Sequence, residues 1–381
     1  MQRRAAIFIL SLAMLLCAAP AAGARPAPVL DLVPSYLPPA GDPAGARVAG
    51  RGWTYDSAIV ATGLAATGRT DRAARIVGQL AALQRPDGAV DFSYDLRTGE
   101  GDGLLRSGAI AWIGLSALEL RTVTCTKRND ALLEGIARWL LARRAGPGLV
   151  TGGPDVSWSS TEHNLETRAF FAGLAAVIGG RPADSGTGRR CAGGLGRMGA
   201  GKARAFARRL DDAVADLDAT IDEHLLARDG AGLTHFRQGL DDDARPLDVQ
   251  ALGILWLIGR DRRADALAVA AYADASMLLS ARSAGGAGPF TGYKPYAEAW
   301  GPDVLWMEGT MMMRAARQAL GLDTAAIDAS ADAWARLTPP GYLLQADREA
   351  VGNPAGDYRP WAAAAPAGWL MLSRSRSTLL R

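Results

Sequence analysis

The 381-residue chain has few of the side chains that bind metals or form disulfides, with 3 histidines and 3 cysteines. His224 and His235 flank a short loop, but a zinc site usually needs three or four ligands, so we expect no metal and no cofactor. Cys17 lies in an apolar N-terminal run, which leaves Cys125 and Cys191 for the rest of the chain. If the sequence folds into helical hairpins, both would lie in hairpin turns, and we predict that they form a disulfide.

Blocks of one charge sign are also lacking. The 42 Lys and Arg residues are interspersed with 39 Asp and Glu residues, and the formal net charge is only +3. Proteins that bind nucleic acids usually carry a basic patch or a basic motif with aromatic residues. We therefore expect no nucleic-acid partner.

Long apolar runs are absent after the N-terminus. Gln2-Arg3-Arg4 is basic, Ala5–Ala19 is apolar, and Ala22-Gly23-Ala24 has the small-x-small pattern of a cleavage site. These features predict a signal peptide over residues 1–24 and a periplasmic or secreted protein. No later stretch approaches the ~20 apolar residues of a spanning helix, so we expect no membrane association after cleavage.

Alternating strand patterns are scarce, and apolar residues instead recur at helical spacing. Ten segments follow this pattern: 57–67, 71–83, 108–120, 129–144, 165–178, 202–226, 249–258, 262–281, 308–320 and 324–337. They come in pairs, in which the first helix is apolar on most sides and the second carries a charged stripe. The first helices recur roughly every 50 to 60 residues, apart from one longer interval that contains a glycine-rich insertion.

Inner and outer helices in repeated antiparallel hairpins predict an all-α fold, an (α/α)6 toroid over residues 51–381. Residues 25–50 form a proline-rich extension before it, and residues 179–201 form the flexible insertion. After the sixth inner segment too few residues remain for an outer helix. Val29–Leu37 is a candidate to fill that place.

In such a ring every inner helix runs in the same direction, so the loops that precede these helices lie on one face. Those loops carry a large share of the acids, tyrosines and tryptophans of the chain. Aromatic rings stack on sugar faces, and carboxylates supply the acid and base of glycosidic cleavage. The candidate catalytic residues are Glu162, Glu308, Asp56 and Asp248, and the candidate substrate-binding residues are His163, Asn164, Tyr55, Tyr296, Trp300, Trp306, Trp158 and Trp361.

Each acid also has a purely structural interpretation. Ser159 and Glu162 have the spacing of a capping box, which stabilises a helix by about 1 kcal/mol without any function. Asp56, Asp248 and Glu308 lie where a first-turn acid is favoured by the helix dipole. For the loop before the fifth inner helix we predict that at least two of Tyr293, Tyr296, Trp300 and Trp306 line a groove beside Glu162 and Asp56.

Three short motifs carry a resemblance to a known group of proteins. "QRPDG" after the first outer helix, "TEHN" at the third inner helix and "WMEGT" at the fifth resemble those of the six-hairpin glycosidase-like superfamily. The resemblance covers about residues 51–373. It implies an exported (α/α)6 protein that acts on a polysaccharide or oligosaccharide, with inversion as the expected outcome. Our hypothesis for the acid and base is the pair Glu162 and Glu308, with Asp56 and Asp248 in reserve.

Two other functions remain open. Toroid lyases resemble this chain in presenting His and Asn beside a Tyr, so His163, Asn164 and Tyr296 could act on a uronate paired with Arg106 or Arg359. A protein that binds exopolysaccharide without cleaving it could use the same aromatic residues. It would not need two carboxylates at working distance.

Overall fold

The computed structural model describes residues 30–181, 191, 193–284, 287–354, 356–375 and 377–380. The expected signal peptide lies outside these residues, as do residues 182–190 and 192 of the expected insertion. No helix in the described ranges is long and apolar enough to cross a membrane.

Eleven α-helices account for about half of the described residues. They are α1 Thr54–Ala66, α2 Thr70–Ala82, α3 Ser107–Thr124, α4 Asp130–Leu141, α5 Thr161–Ile178, α6 Ala200–Thr220, α7 Leu247–Gly259, α8 Arg263–Met277, α9 Met307–Leu320, α10 Ala325–Ala335 and α11 Ala364–Ser373. The odd-numbered helices each pack on the next odd-numbered helix, and α11 packs on α1, so the six close into a ring. The predicted (α/α)6 toroid is confirmed.

The two classes of helix differ because they are buried differently. Almost every residue of the inner helix α7, "LDVQALGILWLIG", is buried, since it contacts neighbours on all sides. The outer helix α2 buries only Ala73, Ile76, Val77 and Leu80, which share one face at three- and four-residue spacing. The even-numbered helices thus cover the ring from outside.

The sixth outer helix has no counterpart among the residues that the structure describes. Residues 30–37 do not fill its place as a helix, because they run extended. Tyr36–Leu37 forms the strand β1, whose antiparallel partner is Ala362–Ala363 directly before α11. The Ser35 hydroxyl accepts a hydrogen bond from the backbone N–H of Trp53 at 2.8 Å. The N-terminal segment is therefore joined to the first and last inner helices.

Short antiparallel strands occur in the loops, where the sequence indicated none. Besides β1 these are β2 Arg51–Trp53, β3 Ser93–Asp95, β4 Arg144–Ala145, β5 Leu149–Val150, β6 Leu226–Arg228, β7 Thr234–Phe236, β8 Leu278–Ala284, β9 Ala287–Tyr293, β10 Leu343–Leu344, β11 Ala350–Asn353, β12 Gly356–Tyr358 and β13 Ala362–Ala363. Strands β8 and β9 pair with each other. The helix predicted over 262–281 therefore ends at Met277, because the following residues join this ladder.

Cys125 and Cys191 form a disulfide, with their Cα atoms 5.1 Å apart. Cys125 follows the C-terminal end of α3. The inner helices are parallel, so the disulfide lies on the face opposite their N-termini.

Candidate active site

A cavity of about 630 Å³ opens where the N-terminal parts of the inner helices converge. Six carboxylic acids line it. Five are on inner helices, Asp56 on α1, Glu162 and Glu166 on α5, Asp248 on α7 and Glu308 on α9, and the sixth is Asp357 on β12. Parallel helices in a ring bring their first turns together, although their sequence positions are far apart. The structure thus brings together all four acids that the sequence nominated.

Glu308 is held by a chain of two hydrogen bonds. The Trp369 indole N–H donates to the Tyr55 oxygen at 2.9 Å, and the Tyr55 hydroxyl donates to Glu308. Burial raises the pKa of Glu308 to about 8, and the charge of Asp56 adds to this rise. The bond from Tyr55 lowers the same pKa, because it stabilises the ionised carboxylate.

Glu162 has a different environment. Burial raises its pKa well above the usual value for glutamate, and the nearby charges of Asp248 and Glu308 raise it further. Helix α5 begins at Thr161, and Ser160 is its N-cap residue. Among the described residues, no side chain forms a capping hydrogen bond at this end. The capping box of Ser159 and Glu162 is therefore not formed.

Asp56 and Asp248 are less strongly shifted. Burial raises the pKa of Asp56 to about 7, while a hydrogen bond with Ser35 opposes the rise. Burial likewise raises the pKa of Asp248 to about 6, against a bond from the Val249 backbone N–H at 2.8 Å. The pKa of Asp248 is thus lower than those of Asp56 and Glu308, so Asp248 ionises before these two acids as pH rises.

Glu166 is a site residue that the sequence analysis missed. The Trp112 indole N–H donates to its Oε1, while its buried Oε2 has no hydrogen-bond partner among the described residues. Burial, followed by the charge of Glu162, raises its pKa well above the usual range. The available signal was its position four residues after Glu162, which places both carboxyl groups on one face of α5.

His163 lines the cavity as an uncharged imidazole. Burial, with a smaller effect of Arg106, lowers its pKa to about 4. A Cβ atom at Gly108 of α3 would lie 2.3 Å from the His163 ring and 2.9 Å from Glu166 Oε2. Only glycine at this position leaves room for both side chains.

Asn164 does not face the cavity. Its side-chain amide accepts from the Val150 N–H at 2.7 Å and donates to the carbonyl oxygens of Val150 and Ser160 at 3.1 and 2.7 Å. These bonds join the start of α5 to the loop before it. The substrate-binding role expected for Asn164 is wrong, because its polar atoms bind backbone.

The N-terminal segment forms one wall of the cavity, which the sequence analysis also missed. Tyr36, Arg47 and Val48 line it from this side. The Trp361 indole N–H donates to Asp42 Oδ2 at 3.0 Å, and the rings of Tyr36 and Trp361 meet edge to face with centroids 6.3 Å apart. This wall therefore depends on contacts between both ends of the chain.

The predicted aromatic residues divide into two groups. Tyr55, Trp306 and Trp361 line the cavity. Trp158, Tyr296 and Trp300 lie outside its lining, and the Trp158 indole N–H donates to the Leu240 carbonyl at 3.0 Å. Tyr293 is buried in the core, where its hydroxyl donates to Asp274. Of the four aromatic residues expected beside Glu162 and Asp56, Trp306 alone lines the cavity, so that expectation is wrong.

Solved structures resemble this chain, whereas no family model and no curated protein matches its sequence. A glycosidase variant in complex with glucose has a TM-score of 0.62 and 12% identity over 92% of this chain and 93% of its own. A bacterial glucoamylase complexed with acarbose has a TM-score of 0.60 and 13% identity over 87% of this chain and 50% of its own. A cellobiose 2-epimerase from Bacillus thermoamylovorans has a TM-score of 0.58 and 9% identity over 85% of this chain and 88% of its own.

At these identities the likeness defines the fold. The chain shares the fold of these solved structures, which is the (α/α)6 toroid that the sequence predicts. The same fold carries hydrolysis in the glycosidases and glucoamylase and another sugar reaction in the epimerase. The reaction of this chain must therefore be argued from its own cavity.

Proposed function

We propose that the protein is a glycoside hydrolase in which Glu162 is the general acid and Glu308 the general base. The observation that carries this proposal is that Glu162 and Glu308, which line the same cavity, have different hydrogen-bonding environments. Burial and two neighbouring acids raise the pKa of both groups, but Glu308 also accepts a hydrogen bond from Tyr55 that favours its ionised form, which opposes the rise. Glycosidic cleavage needs one carboxyl group in each state.

In the proposed reaction Glu162 donates its proton to the glycosidic oxygen as the bond to the anomeric carbon breaks. Glu308 takes a proton from the water that attacks this carbon, so the step ends with Glu162 ionised and Glu308 protonated. Inversion is the stereochemical outcome implied by the resemblance. It is tested by NMR of the first anomer released.

The cavity lining suits a carbohydrate. Trp306, Trp361 and Tyr36 offer aromatic faces, and the acids between them offer hydrogen-bond acceptors for hydroxyl groups. A volume of about 630 Å³ lies within the range of small-ligand sites. We therefore propose a polysaccharide or oligosaccharide as the substrate.

The two other functions have less support. The lyase interpretation needs Asn164 to bind a uronate, but its amide is occupied by backbone groups. A glycan-binding protein would have no use for several buried acids with raised pKa values in one cavity. Digestion of a glycan panel separates the three, because a lyase product absorbs ultraviolet light and a binding protein gives no product.

Glu162→Gln and Glu308→Gln provide the decisive test on whichever glycan the wild-type protein cleaves. Each should lose nearly all turnover and keep its melting temperature within a few degrees. The matched control is Glu119→Gln, because Glu119 is a buried glutamate of α3 outside the cavity, where its carboxylate accepts a hydrogen bond from Ser377 at 3.3 Å. If the control loses as much activity, or if both site variants stay active, the assignment is overturned.

We also propose that the protein is exported. Its support is the signal-peptide pattern of residues 1–24 together with the Cys125–Cys191 disulfide, which is typical of an oxidising compartment. Mass measurement of the protein from periplasm and medium tests this directly. A mature chain that begins near residue 25 is the expected result, and an uncleaved chain in the cytoplasm contradicts it.

A further inference from the structure

Two pairs of aromatic residues lie near the cavity, one at its lining and one with an exposed member. Trp306 lines the cavity, and its ring meets that of Tyr358 edge to face with centroids 6.2 Å apart. Tyr296 and Trp300 form a second pair with centroids 4.8 Å apart. Trp300 is 47% exposed, which is unusual for a tryptophan, whereas Tyr358 is buried.

The two pairs lie on the same side of the cavity. Tyr296 forms an antiparallel bridge with Pro246, which directly precedes α7 and stands two residues before Asp248. Burial raises the pKa of Tyr358, and the closeness of Tyr296 and Asp248 raises it further. This pair, in which Trp300 is exposed and Tyr296 is half-buried, thus stands at the rim next to Asp248 of α7.

The loop that carries this pair is held in place by the protein itself. The Arg245 guanidinium binds Glu298 at 2.7 Å, and the backbone N–H of Ala297 donates to the Arg245 carbonyl at 3.2 Å. A Cβ atom at Gly301 would lie 2.7 Å from Cβ of Tyr296, so the loop can fold back on the ring only with glycine there. The aromatic surface is preformed, and binding would not have to order it.

We propose that Tyr296 and Trp300 bind the part of an oligosaccharide that extends out of the cavity. An exposed aromatic ring next to a carbohydrate cavity is suited to stacking on the next sugar of a chain. Such stacking needs few hydrogen bonds to that sugar. The inference rests on the proposed function, because it assumes that the sugar being cleaved occupies the cavity. It adds that the protein prefers a chain to a single sugar.

The test compares substrates of increasing length. Wild-type protein is first assayed on oligosaccharides of α-1,4-glucan, β-1,4-glucan and β-1,4-mannan, from disaccharide to hexasaccharide. Absence of cleavage across the panel and across polymeric glycans would count against the proposed function itself. For a cleaved series, Trp300→Ala should lower kcat/KM on the longest member about five-fold or more and leave the shortest cleaved member within about two-fold.

Two further variants make the result specific. Trp300→Phe keeps an aromatic ring and should lose less than Trp300→Ala on long substrates. Leu267→Ala removes an exposed apolar side chain from the outer helix α8 and should behave as wild type at every length. An equal loss at all lengths, or no loss at any length while hydrolysis persists, would overturn the binding site and leave the proposed reaction intact.

Discussion

The Tyr55 hydroxyl donates a hydrogen bond to the Glu308 carboxylate, although the two residues are 253 positions apart in the sequence. Tyr55 is in turn the acceptor of the Trp369 indole N–H. Three inner helices, α1, α9 and α11, are thereby joined by side chains at the cavity. The bond fixes the direction of the carboxylate as well as its charge preference, and a general base requires both.

Tyr55→Phe should therefore move the pH profile in a definite direction. The bond from Tyr55 lowers the pKa of Glu308, so its removal raises that pKa above about 8. If Glu308 is the base, the ascending limb of kcat/KM against pH shifts to higher pH. A shift of the descending limb alone would instead identify Glu308 as the acid.

Stability should depend on pH because the cavity acids bind protons more tightly in the folded protein. Burial raises the pKa of Asp56 to about 7 and that of Glu308 to about 8, above the values near 4 expected in the unfolded chain. The folded state is thus stabilised most below pH 4, and this contribution is lost as pH rises towards 8.

Thermal unfolding in the range from pH 5 to pH 9 measures this effect. Glu308→Gln should show a smaller fall in melting temperature than wild type over this range, because glutamine does not ionise. The two proteins should differ least at pH 5. Parallel curves for wild type and variant would contradict the raised pKa of Glu308.

Gly108→Ala tests the close approach of α3 to His163 and Glu166 of α5. The added Cβ would lie 2.3 Å from the His163 ring, so His163 and Glu166 must move. We expect a loss of stability of about 1–3 kcal/mol, typical of overpacking, together with a large loss of activity. Chemical denaturation and kcat/KM give the two quantities.

Gly78→Ala is the matched control for that change. Gly78 lies within the outer helix α2, and a Cβ there would meet nothing within 4 Å. Alanine should leave activity unchanged and stabilise the protein by up to about 1 kcal/mol, since glycine is a poor helix former. A similar loss for both variants would mean that the contact at Gly108 has no special importance.

The N-terminal wall should affect substrate binding more than turnover. Asp42→Ala removes the acceptor of the Trp361 indole N–H, so Trp361 and residues 42–48 lose a common anchor. We expect KM to rise several-fold with little change in kcat, as measured by steady-state kinetics. Asp31→Ala is the control, because the Asp31–Arg75 ion pair is exposed and contributes little. A fall in kcat alone for Asp42→Ala would contradict the role of the wall.

The sequence predicts the ring and its acids because both follow from local periodicity. Inner helices such as α7 are apolar on all sides, and a repeated helical hairpin places the first turns of these helices together. Asp56, Asp248 and Glu308 all lie in such first turns. Glu166 was missed because it lies a turn further along α5, where a single acid in a helix gives no separate signal.

Contacts between distant segments could not be predicted in this way. Tyr293 was expected in a groove because it precedes an inner helix, but the pairing of β9 with β8 turns it into the core. The pairing of Tyr36 with Ala363 has no local pattern at all. The N-terminal wall of the cavity depends on that pairing. Helical periodicity is a local pattern, so it cannot predict a contact between the two ends of the chain.

The meeting of Tyr36 and Trp361 also sets an order of events during synthesis. A ribosome makes Tyr36 early, yet its partner ring and the strand Ala362–Ala363 emerge only after ten of the eleven helices. Until then the ring cannot close and the cavity has no wall on this side. We expect a nascent chain that ends before Trp361 to carry the five acids of the inner helices without a working site.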